Sequence, residues 1–176
     1  MSRLLYSATM SLDGFIAGPG GDMSWLGDHL GSVDVDVSEL MSQVGSLLIG
    51  HRTFTGDDPN RGTDSEGAFG GAWSGPSIVL SHQKPAETDP MVRFAADLET
   101  AVRLAQEAAG EKYVNVLGAD VARQCVEAGL LDEVLVFMVP VLLGDGTRLF
   151  DRPGGTRVLL EPLDRADPTL WFRVSR

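Results

Sequence analysis

What this chain has little of narrows the choice before any motif is read. It carries one cysteine, Cys125, so neither an intrachain disulfide nor a thiolate cluster for zinc can form. Positive charge is scarce: 14 Lys and Arg stand against 25 Asp and Glu, for a formal net charge of −11. Non-specific nucleic-acid binding needs a basic face, so no nucleic-acid partner is expected. No apolar run nears the roughly 20 residues of a membrane-spanning helix, and no membrane partner is expected either. The opening "MSRLLYSATMSLDG" lacks a signal-peptide cleavage pattern, and the expected setting is a reducing cytoplasm. No G-x-G-x-x-G opens a helix and no P-loop is present, which removes the two commonest nucleotide fingerprints. No His is tied by sequence to a Ser or Cys, so no nucleophile–base pair for hydrolysis stands out.

What is there begins with size. The 176 residues fit one domain, 1–176, large enough for a substantial core. Strands are expected at 3–10, 46–50, 76–81, 113–117, 133–141, 156–161 and 170–174. Helices are expected at 37–44, 98–109 and 120–128. The clearest is "LETAVRLAQEAAG", with Asp97 as N-cap, apolar residues at 98, 102, 105 and 109, and Gly110 as the stop. Strands alternating with helices predict a mostly parallel sheet covered on both faces, with two closing strands antiparallel. Residues 13–32 and the Gly-rich 55–76 read as long loops, and long loops of that kind are usually functional or disordered. In such sheets ligands sit beyond the carboxyl ends of the strands. The loops to follow are therefore 11–26, 50–75, 81–90 and 117–121.

Candidate residues cluster on those loops. In "VNVLGADVARQ" a strand runs through Gly118 and Ala119 into a helix, whose free N–H groups suit an anion. An N-cap role for Asp120 is the alternative. His51 and Arg52 follow one strand end, and Ser81 and His82 follow another. Together they would make the small cationic, hydroxyl-bearing pocket that a ribose 2′-phosphate requires. Asp34 and Asp36 sit at the start of the first helix, as caps or as carboxylates for an amino-pyrimidine. Cys125 reads as core. The "GPGGD" run at 18–22 is a weak phosphate cradle.

Taken together, several segments resemble the dihydrofolate reductase-like superfamily, most of all the reductase domain of the riboflavin-biosynthesis deaminase-reductases in its stand-alone form. The segments are "ATMSLDGFIA", "LLIGHRTF", "TFTGDDPN", "IVLSH" and "VNVLGADVARQCVEAGLLDEVLVFMVPVLLGDGTRLF", spanning roughly residues 4 to 151. The resemblance implies an α/β three-layer fold with a central, mixed, mostly parallel sheet of about eight strands. It implies NADPH as cofactor and hydride transfer to a C=N or C=O of a pterin-, pyrimidine- or ribosylaminopyrimidine-type substrate. It puts Gly50, His51, Arg52 and Thr53 on the pyrophosphate and 2′-phosphate, and Ser81 and His82 on the adenosine ribose. It puts Leu117, Gly118, Ala119 and Asp120 at the diphosphate helix, with Ala17 and Gly18 over the nicotinamide. Asp57 matches a carboxylate near cofactor and substrate, and Asp36 is a second candidate proton donor. No metal is implied. Residues 37–45 contain no basic residue, whereas the riboflavin-pathway reductases hold a substrate phosphate with Arg there. A homodimer is expected from the long apolar "EVLVFMVPVLL". Two alternatives stand beside the reductase: a relative of the fold that binds a nucleotide or small ligand without turnover, and a dihydrofolate reductase proper.

Overall fold

The computed structural model describes residues 2–27, 29, 37–58, 60–83, 89–166 and 169–175. The strands are β1 (Leu4–Ser11), β2 (Phe15–Ala17), β3 (Val44–Gly50), β4 (Ser77–Leu80), β5 (Val92–Ala95), β6 (Tyr113–Leu117), β7 (Glu133–Val139), β8 (Thr147–Arg148), β9 (Leu160–Ala166) and β10 (Thr169–Val174). The helices are α1 (Val37–Gln43), α2 (His51–Thr55), α3 (Leu98–Ala109) and α4 (Ala119–Glu127). Eight strands form one sheet in the order β5-β4-β3-β6-β1-β7-β10-β9. The first six pair in parallel. The last two are joined antiparallel, β10 on β7 and β9 on β10. The mixed, mostly parallel sheet expected from the sequence is therefore what forms.

The sheet has two apolar faces because its strands are buried on both sides, and successive side chains point oppositely. Leu4, Tyr6, Leu48, Ile78, Val114, Val116, Val134 and Val136 pack with α3 and α4. Leu5, Leu47, Ile49, Val79, Leu135 and Phe137 pack with Leu40 of α1 and with Ala68, Phe69 and Trp73. Helix α3 meets the sheet through small residues, Ala101, Ala105 and Ala109, with Val102. A Cβ on Gly45 would collide with the Ala109 carbonyl, so this glycine sets how closely α3 lies on β3. Asp97 caps α3 by accepting from the Thr100 N–H at 2.8 Å, and Gly110 ends it at φ 64°. Cys125 is fully buried, and burial pushes its thiol up to about 12.

The structure corrects two expectations, at 13–32 and at 156–161, and adds two points beside them. The 13–32 segment is not one loop: β2 pairs with β8, and short 3₁₀ turns form at Pro19–Gly21 and Ser24–Leu26. The edge strand β5 had no sequence signal, since "VRFA" is short and alternates only weakly. The strand expected at 156–161 lies at Leu160–Ala166 and contains Pro162. An edge strand tolerates that proline, and β10 takes up the irregularity with a register shift between Trp171 and Phe172. Finally, β7 lies inside the sheet, between β1 and β10. Burial accounts for its apolar run, so that run is not evidence for a subunit contact.

Candidate functional site

The carboxyl ends of β1, β3, β4 and β6 open into one cleft of about 1930 Å³. That is larger than the roughly 300–1,000 Å³ of a site for a drug-sized ligand. The cleft is lined by Ala17, Gly18, Gly50, His51, Arg52, Thr53, Asp57, Ser81, His82, Leu117, Gly118, Ala119 and Asp120. These residues come from four separate stretches of chain, and the topology alone brings them together. Of the candidate site residues, Asp36 lies outside the described residues, as do Asp34 and Pro59.

The β6–α4 junction is the tightest point. Gly118 has φ 106° and ψ 138°, a conformation that L side chains rarely adopt. A Cβ there would also strike Thr53 Oγ1 of α2. The junction therefore needs glycine twice over, once for its backbone and once for its neighbour. Gly118 is itself the N-cap of α4 and supplies no side chain, so the first N–H groups of this nine-residue helix are left to the cleft. Asp120 is not the cap. Its carboxylate accepts from Arg123 at 2.7 Å and Gln124 at 2.9 Å along its own helix. The Arg123 hydrogen bond holds its pKa below the usual carboxylate range, and the positive field of Arg52 adds to this.

At the neighbouring strand ends, Ser81 Oγ lies 3.0 Å from His51 Nδ1. The same hydroxyl donates to the Gln83 carbonyl at 2.8 Å and accepts from the Gln83 N–H at 3.0 Å. This ties the ends of β3 and β4 and fixes the His51 ring, with Arg52 beside it on α2.

Loops close the other side. Asp57 Oδ2 accepts from the Met23 N–H at 3.3 Å, joining the segment after β2 to the segment after α2. Arg61 stands 4.0 Å from the other Asp57 oxygen. Gly146, at φ 132°, sits so close to Ala17 and Gly18 that any side chain would run into the Ala17 carbonyl. Asp13 anchors this arrangement: it accepts from Ser11 Oγ at 2.6 Å, Leu143 N–H at 3.1 Å and Gly144 N–H at 2.7 Å. Those bonds, the Ser11 hydroxyl foremost, lower its pKa to about 2. The Gly-rich segment after α2 folds inward as a wall, with Phe69 and Trp73 against the sheet, ring centroids 6.0 Å apart.

Sequence reasoning missed the floor. Ser7 of β1 and Asn115 of β6 are both buried and both line the cleft, and Ser7 Oγ lies 2.8 Å from Asn115 Oδ1. The available signal was a single polar residue inside each of two apolar runs, "LLYSAT" and "YVNVL". Asp145, Gly146 and Thr147 also line the cleft and were read only as part of a closing motif.

A cofactor with two phosphates fits this geometry on the structure's own terms. The glycine cradle at 118, the uncapped start of α4, Arg52 and the His51–Ser81 pair meet on one side of an open cleft. Among the described residues no group of three or more His, Cys, Asp or Glu is placed to hold a metal ion. No helix among them is long and apolar enough to cross a membrane.

Known structures share this architecture. A Shewanella sp. PV-4 protein assigned to riboflavin biosynthesis superposes with a TM-score of 0.73 at 22% identity over 100% of both chains. The Thermotoga maritima diaminohydroxyphosphoribosylaminopyrimidine deaminase/5-amino-6-(5-phosphoribosylamino)uracil reductase gives 0.66 at 20% identity, over 98% of this chain and 56% of that one. Enterococcus faecalis dihydrofolate reductase, complexed with NADP(H), gives 0.58 at 16% identity, over 99% of this chain and 97% of that one. At these identities the likeness is one of fold, and the fold is dihydrofolate reductase-like. The family model of the RibD C-terminal domain matches residues 3–165. The chain belongs to the RibD C-terminal domain family.

Proposed function

We propose that this protein is an NADPH-dependent reductase acting on a small pyrimidine-, pterin- or ribosylaminopyrimidine-type substrate. The observation that carries the reading is the convergence of Gly50–Thr53, Ser81–His82 and Leu117–Asp120 on one cleft around Gly118, where glycine is demanded twice. NADPH, when bound, supplies a hydride. The chain's own residues bind, orient and exclude water. The first N–H groups of α4 would hold the diphosphate, and the Arg52 guanidinium would take the 2′-phosphate. His51 and Ser81 take the adenosine ribose side. Ala17 and Gly18, pressed into place by Gly146, cover the reacting end. A substrate C=N or C=O would take that hydride at carbon and need one proton at the heteroatom. Asp57, half-exposed at the seam between the two loops, passes that proton in from solvent.

The absence of basic residues in 37–45 favours a substrate without a phosphate at that position. A homodimer belongs to the same proposal, on different grounds from β7. The edge strand β9 and its approach expose Leu159, Leu160 and Leu163, and a monomer mass by light scattering at micromolar concentration would overturn that part. The cofactor claim is tested by melting curves. Saturating NADPH at about 100 times Kd should raise Tm by about 5–10 °C, and NADH clearly less. Equal or absent shifts with both would remove the cofactor from the account.

A further inference from the structure

In the middle of the sheet, on the face covered by α1 and the Trp73 wall, Asn115 is 0% exposed, and its Nδ2 has no hydrogen-bond partner. Its Oδ1 is taken by the Ser7 hydroxyl, leaving the two N–H bonds of the amide unused. Its setting is apolar: Leu5, Leu47, Ile49 and Phe137 pack on the same face. A buried amide donor left unpaired there costs about 1–3 kcal/mol, and a leucine would fill the space without that cost. Trp73 adds a second case, since its Nε1 is buried and unpartnered too. Both residues line the cleft.

Resting on the reductase reading, we infer that Asn115, oriented by Ser7, is a specificity-determining residue. It donates from Nδ2 to a carbonyl oxygen of a flat heterocycle bound on the sheet, and Trp73 Nε1 provides a further donor to the same ring system. Two residues that line one cleft and carry unpaired N–H donors select a ring whose edge accepts hydrogen bonds. They select a uracil-type dione over a 2,4-diamino ring, whose edge carries donors of its own. A buried polar group discriminates in this way because the wrong partner leaves it unpaired. The stability held back at Asn115 is the counterpart of that selectivity.

The test uses the full chain and two probes that differ only at the ring edge, 5,6-diaminouracil and 2,4,5,6-tetraaminopyrimidine. Both are titrated in the presence of NADPH, with NADPH affinity and Tm measured on the same samples. The dione should bind at least tenfold more tightly. Asn115→Leu should remove most of the preference without lowering Tm or changing NADPH affinity by more than twofold. Asn115→Asp keeps the shape, replaces donors by acceptors, and should reverse the preference even if the leucine variant fails to fold. The inference is overturned if neither probe binds up to millimolar concentration, if wild type has no preference or the opposite one, or if both variants keep the wild-type preference. Those results with NADPH still bound leave the cofactor reading standing, whereas loss of NADPH binding in wild type removes both.

Discussion

The two ends of the sheet treat polar groups in opposite ways. At the amino end a buried carboxylate and its neighbours are mutually partnered. Glu133 of β7 is buried and accepts from Arg3, from Tyr113 Oη at 3.0 Å and from Trp171 Nε1 at 2.9 Å. Arg3 also lies over the Tyr113 ring. Asp132 accepts the Leu4 N–H at 2.8 Å, pinning the start of β1. Burial, with the Glu133 hydrogen bond, pushes the Tyr113 hydroxyl up to about 12. Towards the carboxyl end β3 finishes in Gly50 and β6 runs into Gly118 at an uncapped helix start, with the buried N–H groups of Asn115 and Trp73 left without partners. One end is closed chemistry that holds the fold together. The other is left incomplete, as the proposed cofactor site requires.

Breaking the closed end should have the largest effect. Glu133→Ala strands a tyrosine hydroxyl, an indole N–H and part of a guanidinium. It should cost on the order of 3 kcal/mol in urea unfolding while NADPH affinity stays within twofold. A matching loss of cofactor affinity would show that the two ends are not separate. At the open end, Gly118→Ala brings a Cβ against Thr53 Oγ1 and forces an alanine to φ 106°. We expect NADPH affinity to fall by about 2 kcal/mol, roughly thirtyfold. Adding Thr53→Ala relieves the collision but not the backbone, so recovery should be partial, and full recovery would assign the whole effect to the contact. Arg52→Gln should weaken NADPH about tenfold, near 1.4 kcal/mol, and leave NADH almost unchanged. Equal losses for both cofactors would place Arg52 on the diphosphate alone.

The smallest effect concerns Asp13, a carboxylate at the open end that accepts three hydrogen bonds. Its folded pKa, about 2, lies below the roughly 3.9 of an unfolded aspartate. Its contribution to stability is therefore present above about pH 4 and is lost as pH falls towards 2. Acid melts of wild type and Asp13→Asn should differ near neutral pH and converge between about pH 4 and pH 2. A gap of constant size down to pH 2 would mean the carboxylate charge is not what holds the 141–144 loop.

The same contrast explains what the sequence revealed. Elements with strong periodicity or clear caps were legible: α3 with Asp97 and Gly110, the interior strands β3, β6 and β7, and the antiparallel closing strand β10. The weakest signals were at edges, where packing decides and propensity does not: β5, the two-residue β8, and β9 with its internal proline. Glycine and charge at strand ends marked the proposed phosphate side of the site, because close approach and anion binding need particular residue types. Ser7 and Asn115 carried no such mark. A lone polar residue in an apolar strand reads the same whether it is satisfied or orphaned, and only the packed structure distinguishes the two. Asp120 shows the reverse: its helix-start position suggested a cap, but the turn set by Gly118 moved it inside the helix and onto Arg123.

The most direct test of the incomplete end is a residue-resolved NADPH titration of the isotopically labelled protein. Backbone amide signals of Gly50–Thr53, Ser81–His82 and Leu117–Asp120 should shift together along one saturation curve, while those of Arg3, Glu133 and Trp171 stay in place. Shifts centred on the amino end, or no shifts at millimolar NADPH, would contradict it.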